Sequence, residues 1–103
     1  MDEKTEYPIK LNINGVNISH VLIRQYYKKK HPDVTDQIIL ALIKTLHRGH
    51  FPIVDRKTEN GCNYEFFVVE PVFYNEKPYR LVLVLCVGDD FLGVVNAFRR
   101  PKK

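Results

Sequence analysis

Apolar and polar residues alternate near the start of the chain. Every second residue from 9 to 13 is apolar, which is the period of two that a strand with one buried face requires. Asn14-Gly15 comes next, and both residues tolerate the positive φ angles of a tight hairpin turn. The pattern therefore predicts a short β-hairpin over residues 7–18.

The next segment has helical spacing. Ser19 offers a side-chain oxygen as an N-cap, and Pro32 disfavours helical geometry in the residue before it. A first helix is therefore predicted over residues 19–31. Its apolar side carries Leu22, Ile23 and Tyr26. The opposite side carries a polar stripe of His20, Arg24, Tyr27, Lys28 and His31.

A second helix has signals at both ends. Asp33 or Thr35 can cap its start, and Asp36 suits the positive end of the helix dipole. Gly49 is the residue expected just past its end. The apolar stripe of this helix consists of Ile38, Ile39, Leu42, Ile43 and Leu46. Together the two helices form a predicted helical hairpin over residues 19–49.

From residue 51 onward the apolar period is two again. Turn-forming residues lie at Asn60-Gly61, at 71–78 and at 88–90. The strands predicted between them are 51–56, 63–70, 79–87 and 91–98. Short connections make neighbouring strands antiparallel. The strand at 79–87 is apolar on both faces apart from Arg80, so it is expected at the centre of the sheet.

These elements predict an α+β fold, in which two N-terminal helices pack on a four-stranded antiparallel sheet after a short N-terminal β-hairpin. A chain of 103 residues can build one hydrophobic core and is too short for two ordinary domains. We expect a single domain over residues 1–103. Its parts are a hairpin arm (7–18), a helical hairpin (19–49), an antiparallel meander (50–100) and a basic tail (101–103).

Composition narrows the protein class. Hydrophobic residues make up 45% of the chain and charged residues 27%, which is typical of a globular protein and not of a disordered one. The N-terminus is acidic and polar, unlike a signal peptide. The longest apolar run, residues 81–87, is far too short to span a membrane. The expectation is a cytoplasmic protein without a membrane partner.

The positive charge is concentrated in two places. The formal net charge is +4, and Arg99, Arg100 and the two C-terminal lysines account for all of it. Arg24 and the lysines at 28–30 form a second cluster. Two basic patches suit a phosphate backbone. The alternative is a solvated helix face and a solvated tail.

The cysteines and histidines give no pattern of a metal site. Cys62 and Cys86 lie in apolar, strand-like segments, where two buried free thiols are the simplest interpretation; a disulfide is the alternative. His47 and His50 with Cys62 match no zinc-site spacing. The sequence therefore predicts no metal and no cofactor.

Three residues are candidates for chemistry. His20 follows the predicted N-cap, where the helix dipole favours a neutral imidazole that can act as a general base. Arg80 is the one charge in an apolar strand, and a buried guanidinium needs a partner or a ligand. Asn96 is the one polar residue at 93–98. The structural alternatives are a surface histidine, an arginine paired with Glu65 or Glu70, and an asparagine at a strand end.

The order of these parts resembles a known family. The resemblance is to the barnase/EndoU/colicin/RelE-like superfamily of small ribonuclease toxins. The similar parts are Ile18-Ser19-His20-Val21 opening a basic helix, the second short helix, Tyr79-Arg80 in an apolar strand, and the closing Gly93-Val94-Val95-Asn96-Ala97-Phe98-Arg99. The likeness covers roughly residues 18 to 100. It implies that His20, Arg80 and Asn96 face one cleft. Relatives tend to carry Ser or Thr in place of Asn96, and an amide cannot shuttle a proton.

The function that the resemblance implies is toxin-like, metal-independent cleavage of single-stranded RNA. His20 would take a proton from a ribose 2′-hydroxyl, and Arg80 would stabilise the phosphoryl charge. Further RNA contacts are expected from Arg24, Tyr27, Lys28, Tyr79, Arg99 and Arg100. The alternative is a non-catalytic RNA- or protein-binding module, and an unrelated α+β enzyme or structural domain is a third. RNA and an acidic antitoxin or inhibitor protein are the expected partners of a monomer or weak dimer.

Overall fold

The computed structural model describes residues 4–24 and 33–100. Two predicted RNA contacts, Tyr27 and Lys28, and the basic tail at 101–103 lie outside these residues. The elements in chain order are β1 (Lys4–Ile13), β2 (Val16–Arg24), α1 (Asp36–Lys44), β3 (Asp55–Glu59), β4 (Cys62–Tyr74), β5 (Lys77–Cys86) and β6 (Phe91–Arg99). No helix in the described residues is long and apolar enough to cross a membrane.

The six strands form one mixed sheet. Their spatial order is β1-β2-β6-β5-β4-β3, with β2 parallel to β6 and every other neighbouring pair antiparallel. The parallel pairing begins where His20 lies opposite Phe91 and continues to Ile23 opposite Val94. It joins the N-terminal hairpin to the C-terminal meander in a single sheet.

The predicted fold class is wrong. The described residues form a mostly β fold, a six-stranded mixed sheet with one short helix, and not two helices on a four-stranded antiparallel sheet. The predicted first helix fails at residues 19–24, which lie in β2; its remainder falls outside the described residues. β-Branched residues such as Ile18, Val21 and Ile23 favour the pleated strand, and β2 has hydrogen-bonded neighbours on both edges.

The predicted N-terminal hairpin is present and longer than expected. Asn14 and Gly15 have φ angles of 54° and 76°, as the tight turn requires. The hairpin is part of the core, because Ile13, Val21 and Ile23 are fully buried. It is therefore not a detached arm.

The predicted second helix is confirmed as α1. Thr35 is the N-cap, and its Oγ1 accepts a hydrogen bond from the Ile38 amide at 3.2 Å. The buried residues of α1 are Ile39, Leu42 and Ile43, all members of the predicted stripe. The helix ends at Lys44, earlier than Gly49.

The C-terminal meander has the predicted antiparallel order, but several strand boundaries differ. β3 covers Asp55–Glu59 instead of 51–56, because Phe51 stacks on Phe67 with ring centroids 5.8 Å apart and anchors the preceding segment as a loop. β4 continues to Tyr74, so only the middle of the segment predicted as a turn, 71–78, is a turn. The chain reverses at Asn75 and Glu76, which both have positive φ angles.

The two faces of the sheet differ in what covers them. Leu81, Leu83 and Leu85 of β5 lie in one buried cluster with the apolar residues of α1. Side chains alternate along a strand, so Arg80, Val82 and Val84 lie on the opposite side. We call the side turned away from α1 the far face.

The free-thiol interpretation of the cysteines is wrong. Cys62, at the start of β4, is linked by a disulfide to Cys86, at the end of β5, with a Cα–Cα distance of 6.2 Å. Of the two interpretations drawn from the sequence, the disulfide is the one observed. The bridge ties together two strands that also pair through their backbones.

Candidate functional site

A groove of about 430 Å³ crosses the far face. Its floor follows one cross-strand row, in which Leu22 lies opposite Gly93, Gly93 opposite Val84 and Val84 opposite Phe66. Gly93 has no side chain, and a Cβ added there would lie 2.7 Å from Val84 Cγ1. The glycine therefore keeps the middle of the row low while Val84 packs beside it.

The rim of the groove combines aromatic rings with charge. Phe91 and Tyr64 lie next to the floor row, and Lys4, Arg24 and Glu59 supply the charges. Lys4 lies directly opposite Arg24 in the β1–β2 pair. Glu6 lies on the same face of β1, two positions further along, so this end of the groove carries charges of both signs. Glu59 gives the other end a negative charge.

His20 lies in β2 at the border of this groove. Its ring stacks on Phe91, with centroids 6.1 Å apart and planes at 24°. Its Nδ1 lies 3.1 Å from Ser19 Oγ and 3.8 Å from Asp90 Oδ1. Because Nδ1 faces these two oxygens, Nε2 is the ring nitrogen available to a ligand. The helix-dipole argument for a neutral His20 does not apply, since no helix begins at Ser19.

Ser19 and Asp90 are joined beside His20 by a side-chain and a backbone hydrogen bond. The Ser19 hydroxyl donates a hydrogen bond to Asp90 Oδ2, and the Ser19 amide donates to the Asp90 carbonyl oxygen at 2.8 Å. The side-chain hydrogen bond from Ser19, followed by the charge of His20, lowers the pKa of Asp90 below its ordinary value. An ionised carboxylate is therefore held beside the imidazole.

Arg80 is paired with Glu70, one of the two partners that the sequence suggested. Arg80 Nε lies 3.0 Å from Glu70 Oε2, although its N–H is not aligned for a hydrogen bond. Arg100 Nε lies 3.1 Å from the other oxygen of the same carboxylate. The Arg80 guanidinium also lies 5.7 Å from the centroid of the Phe98 ring. One carboxylate thus serves two guanidinium groups.

The predicted catalytic residues share a face but not a cleft. His20 lies opposite Phe91, and Arg80 lies opposite Phe98. These two positions on β6 are separated by roughly 23 Å at about 3.3 Å per residue. Asn96 lies between them at a register shift, where its Oδ1 accepts a hydrogen bond from the Ala97 amide at 2.9 Å. The register therefore does not assemble the three residues into one site.

The other predicted RNA contacts have different positions. Arg24 lines the groove. Tyr79 is only 4% exposed and belongs to the core, so it cannot stack on a base. Arg99 is exposed at the end of β6, opposite Tyr79. Arg100 contacts Glu70 as described.

Sequence reasoning missed most of the groove. In a strand over 16–24, residues 20, 22 and 24 lie on one face. The predicted helix over 19–31 excluded this strand, so the shared face was not recognised. Tyr64, Phe66 and Phe91 were visible only as strand residues. Asp90 was interpreted as part of a turn, and no local pattern connects it with Ser19.

Comparisons with protein-family models, curated proteins and solved structures found no match for this chain. The resemblance to ribonuclease toxins therefore stays a hypothesis based on the residues quoted for it.

Proposed function

We propose that this protein binds single-stranded RNA in the far-face groove. The observation that carries the proposal is the low apolar row at Gly93, which lies beside Phe91 and Tyr64 in a groove that Lys4 and Arg24 also line. Unpaired bases stack on exposed aromatic rings of a sheet, which contributes about 1–3 kcal/mol per base. The aromatic rings beside the floor row can stack on a base, and Lys4 and Arg24 can contact the adjoining phosphate.

A second cluster on the far face supports a longer path for the RNA. Arg80 lies beside Phe98, and both Arg80 and Arg100 contact the single carboxylate of Glu70. Two guanidinium groups against one carboxylate leave a net positive charge. An RNA strand bound in the groove can therefore place further phosphates near Arg80 and Arg100.

Fluorescence anisotropy with a labelled, unstructured oligoribonucleotide tests the proposal. Arg24→Gln should weaken binding, and it should reduce the slope of log affinity against log salt by about 1 because one phosphate contact is lost. Tyr64→Ala should weaken binding about tenfold with little change in that slope.

Lys44→Gln is the matched control. Lys44 is exposed at the end of α1, on the other side of the sheet, so this variant should bind RNA like the unaltered protein. Equal losses from Arg24→Gln and Lys44→Gln would mean that binding depends on net charge alone. The groove would then not be the site.

RNA cleavage is a second candidate function, favoured by the position of His20 beside the groove with Nδ1 directed at Ser19 and Asp90. His20 Nε2 would accept the proton of a ribose 2′-hydroxyl. The resulting oxygen would attack the adjacent phosphorus and displace the 5′-oxygen, which takes a proton from solvent water, leaving a 2′,3′-cyclic phosphate. Arg24, which lies in the same strand, replaces Arg80 as the cation for the phosphoryl oxygens.

The cleavage step is tested with purified protein, single-stranded RNA and EDTA. The expected products carry 2′,3′-cyclic phosphate ends and disappear with His20→Ala, while RNA affinity changes little. Binding without any such product would leave the protein as an RNA-binding module. Activity that survives His20→Ala would place the chemistry elsewhere.

A further inference from the structure

Three metal-ligating groups lie together at one end of the sheet. The sulfur atoms of Cys62 and Cys86 and a carboxylate oxygen of Asp89 all lie within 4.8 Å of one another. Cys62 follows the tight turn at Asn60-Gly61, and Cys86 precedes the turn that contains Gly88. The start of β4, the end of β5 and the turn after β5 thus place two sulfur atoms and one oxygen atom close together.

Backbone hydrogen bonds hold these turns in place. The Asp89 amide donates to the Cys86 carbonyl oxygen at 3.0 Å, and Gly88 permits this fold with a φ angle of 92°. The Val87 amide donates to the Asn63 carbonyl oxygen at 2.9 Å, which connects the end of β5 to the start of β4. Backbone hydrogen bonds therefore fix the positions of Cys62, Cys86 and Asp89 relative to one another.

We propose that, once the disulfide is reduced, Cys62, Cys86 and Asp89 bind one thiophilic divalent cation such as Zn²⁺. Two thiolates and a carboxylate are donors that Zn²⁺ accepts in a tetrahedral site, with a water molecule as the fourth ligand. Cys86 is buried, whereas Asp89 is exposed, so the cation enters from the Asp89 side.

Metal binding follows reduction of the Cys62–Cys86 disulfide. A dithiol reductant gives two electrons and two protons to the Cys62–Cys86 bond and becomes a disulfide itself. Each cysteine thiol then releases its proton to solvent when the cation binds. Because both states use the same two sulfur atoms, disulfide formation and metal binding exclude each other.

Cobalt absorption tests this site in the full chain. The protein is reduced with a dithiol, freed of reductant without air and titrated with Co²⁺. One equivalent should produce a thiolate-to-cobalt charge-transfer band in the near ultraviolet, and Zn²⁺ should remove it. The oxidised protein and Cys62→Ser should show no such band.

Asp89→Asn separates this site from a simple pair of thiols. It should weaken Co²⁺ affinity about tenfold or more, whereas Asp33→Asn, the same change at an exposed and distant position, should leave affinity unaltered. If reduction unfolds the chain, Co²⁺ must restore the native circular dichroism. A reduced protein without the band, or an Asp89→Asn variant that binds cobalt like the unaltered protein, overturns the proposal.

Discussion

At the scale of single residues, the polar surroundings of His20 depend on a contact between distant parts of the chain. Ser19 and Asp90 are separated by 71 positions, and they meet because β2 pairs in parallel with β6 directly after Asp90. The hydroxyl of Ser19 is the largest cause of the lowered pKa of Asp90. Ser19 therefore extends to lower pH the range in which the carboxylate that faces the imidazole is ionised.

Ser19→Ala should raise the pKa of Asp90 toward its ordinary value of 3.8. A lowered carboxyl pKa contributes stability above the unfolded value, and this contribution disappears as the pH falls through the folded value. The variant should therefore lose this stabilising contribution at pH values above 3.8, and the difference from the unaltered protein should disappear as the pH falls below the folded pKa. Carboxyl carbon chemical shifts followed from pH 6 to pH 2 measure the pKa directly. Thr58→Ala is the control, and an unchanged Asp90 titration in Ser19→Ala would contradict the assignment.

Gly93→Ala should destabilise the protein by about 1–3 kcal/mol, because its methyl group would press on Val84 in the floor of the groove. Urea denaturation measures the change in the free energy of unfolding. Val84→Ala in the same chain removes the clash, so the two substitutions together should cost less than their sum. Additive costs would show that the two side chains do not compete for this space.

At the scale of elements, α1 and β2 show why one segment is readable from sequence and the other is not. α1 combines a cap at Thr35, an acid in its first turn and an apolar stripe, all of which are local signals. β2 has an apolar pattern that fits a helix over a few residues. Its strand conformation depends on hydrogen bonds to β1 and β6, which no local pattern records.

Thr35→Ala should cost about 1 kcal/mol of stability, since the Ile38 amide loses its side-chain acceptor. Thr35→Ser keeps the hydroxyl oxygen and should cost much less. Thermal or urea denaturation of the two variants gives the comparison. Equal losses in both would show that the cap oxygen is not responsible.

At the scale of the whole molecule, two connections join parts that are distant in sequence. The parallel β2–β6 pair unites the hairpin and the meander, and the disulfide links Cys62 to Cys86 across 24 positions. The first places His20, Arg24 and the groove on one surface. The second reduces the conformational freedom of the unfolded chain.

Reduction of the disulfide should lower the free energy of unfolding by about 3 kcal/mol, as expected for a closed loop of this length. Urea denaturation with and without a dithiol, both in EDTA, measures the loss. A Cys62→Ala, Cys86→Ala double variant should show the same stability under both conditions. If the unaltered protein is equally stable when reduced, the bridge does not constrain its unfolded state.

The amino-acid sequence by itself determined the local features: the turns at Asn14-Gly15 and Asn60-Gly61, the helix α1 and the antiparallel meander with β5 near its centre. These follow from backbone preferences and from hydrophobic periods within a few residues. Only the tertiary structure decided that β2 is a strand, that Ser19 meets Asp90, and that His20 and Arg80 lie far apart on one face. The reason is that strand register is a relation between segments, and a period within one segment does not specify which partner completes it.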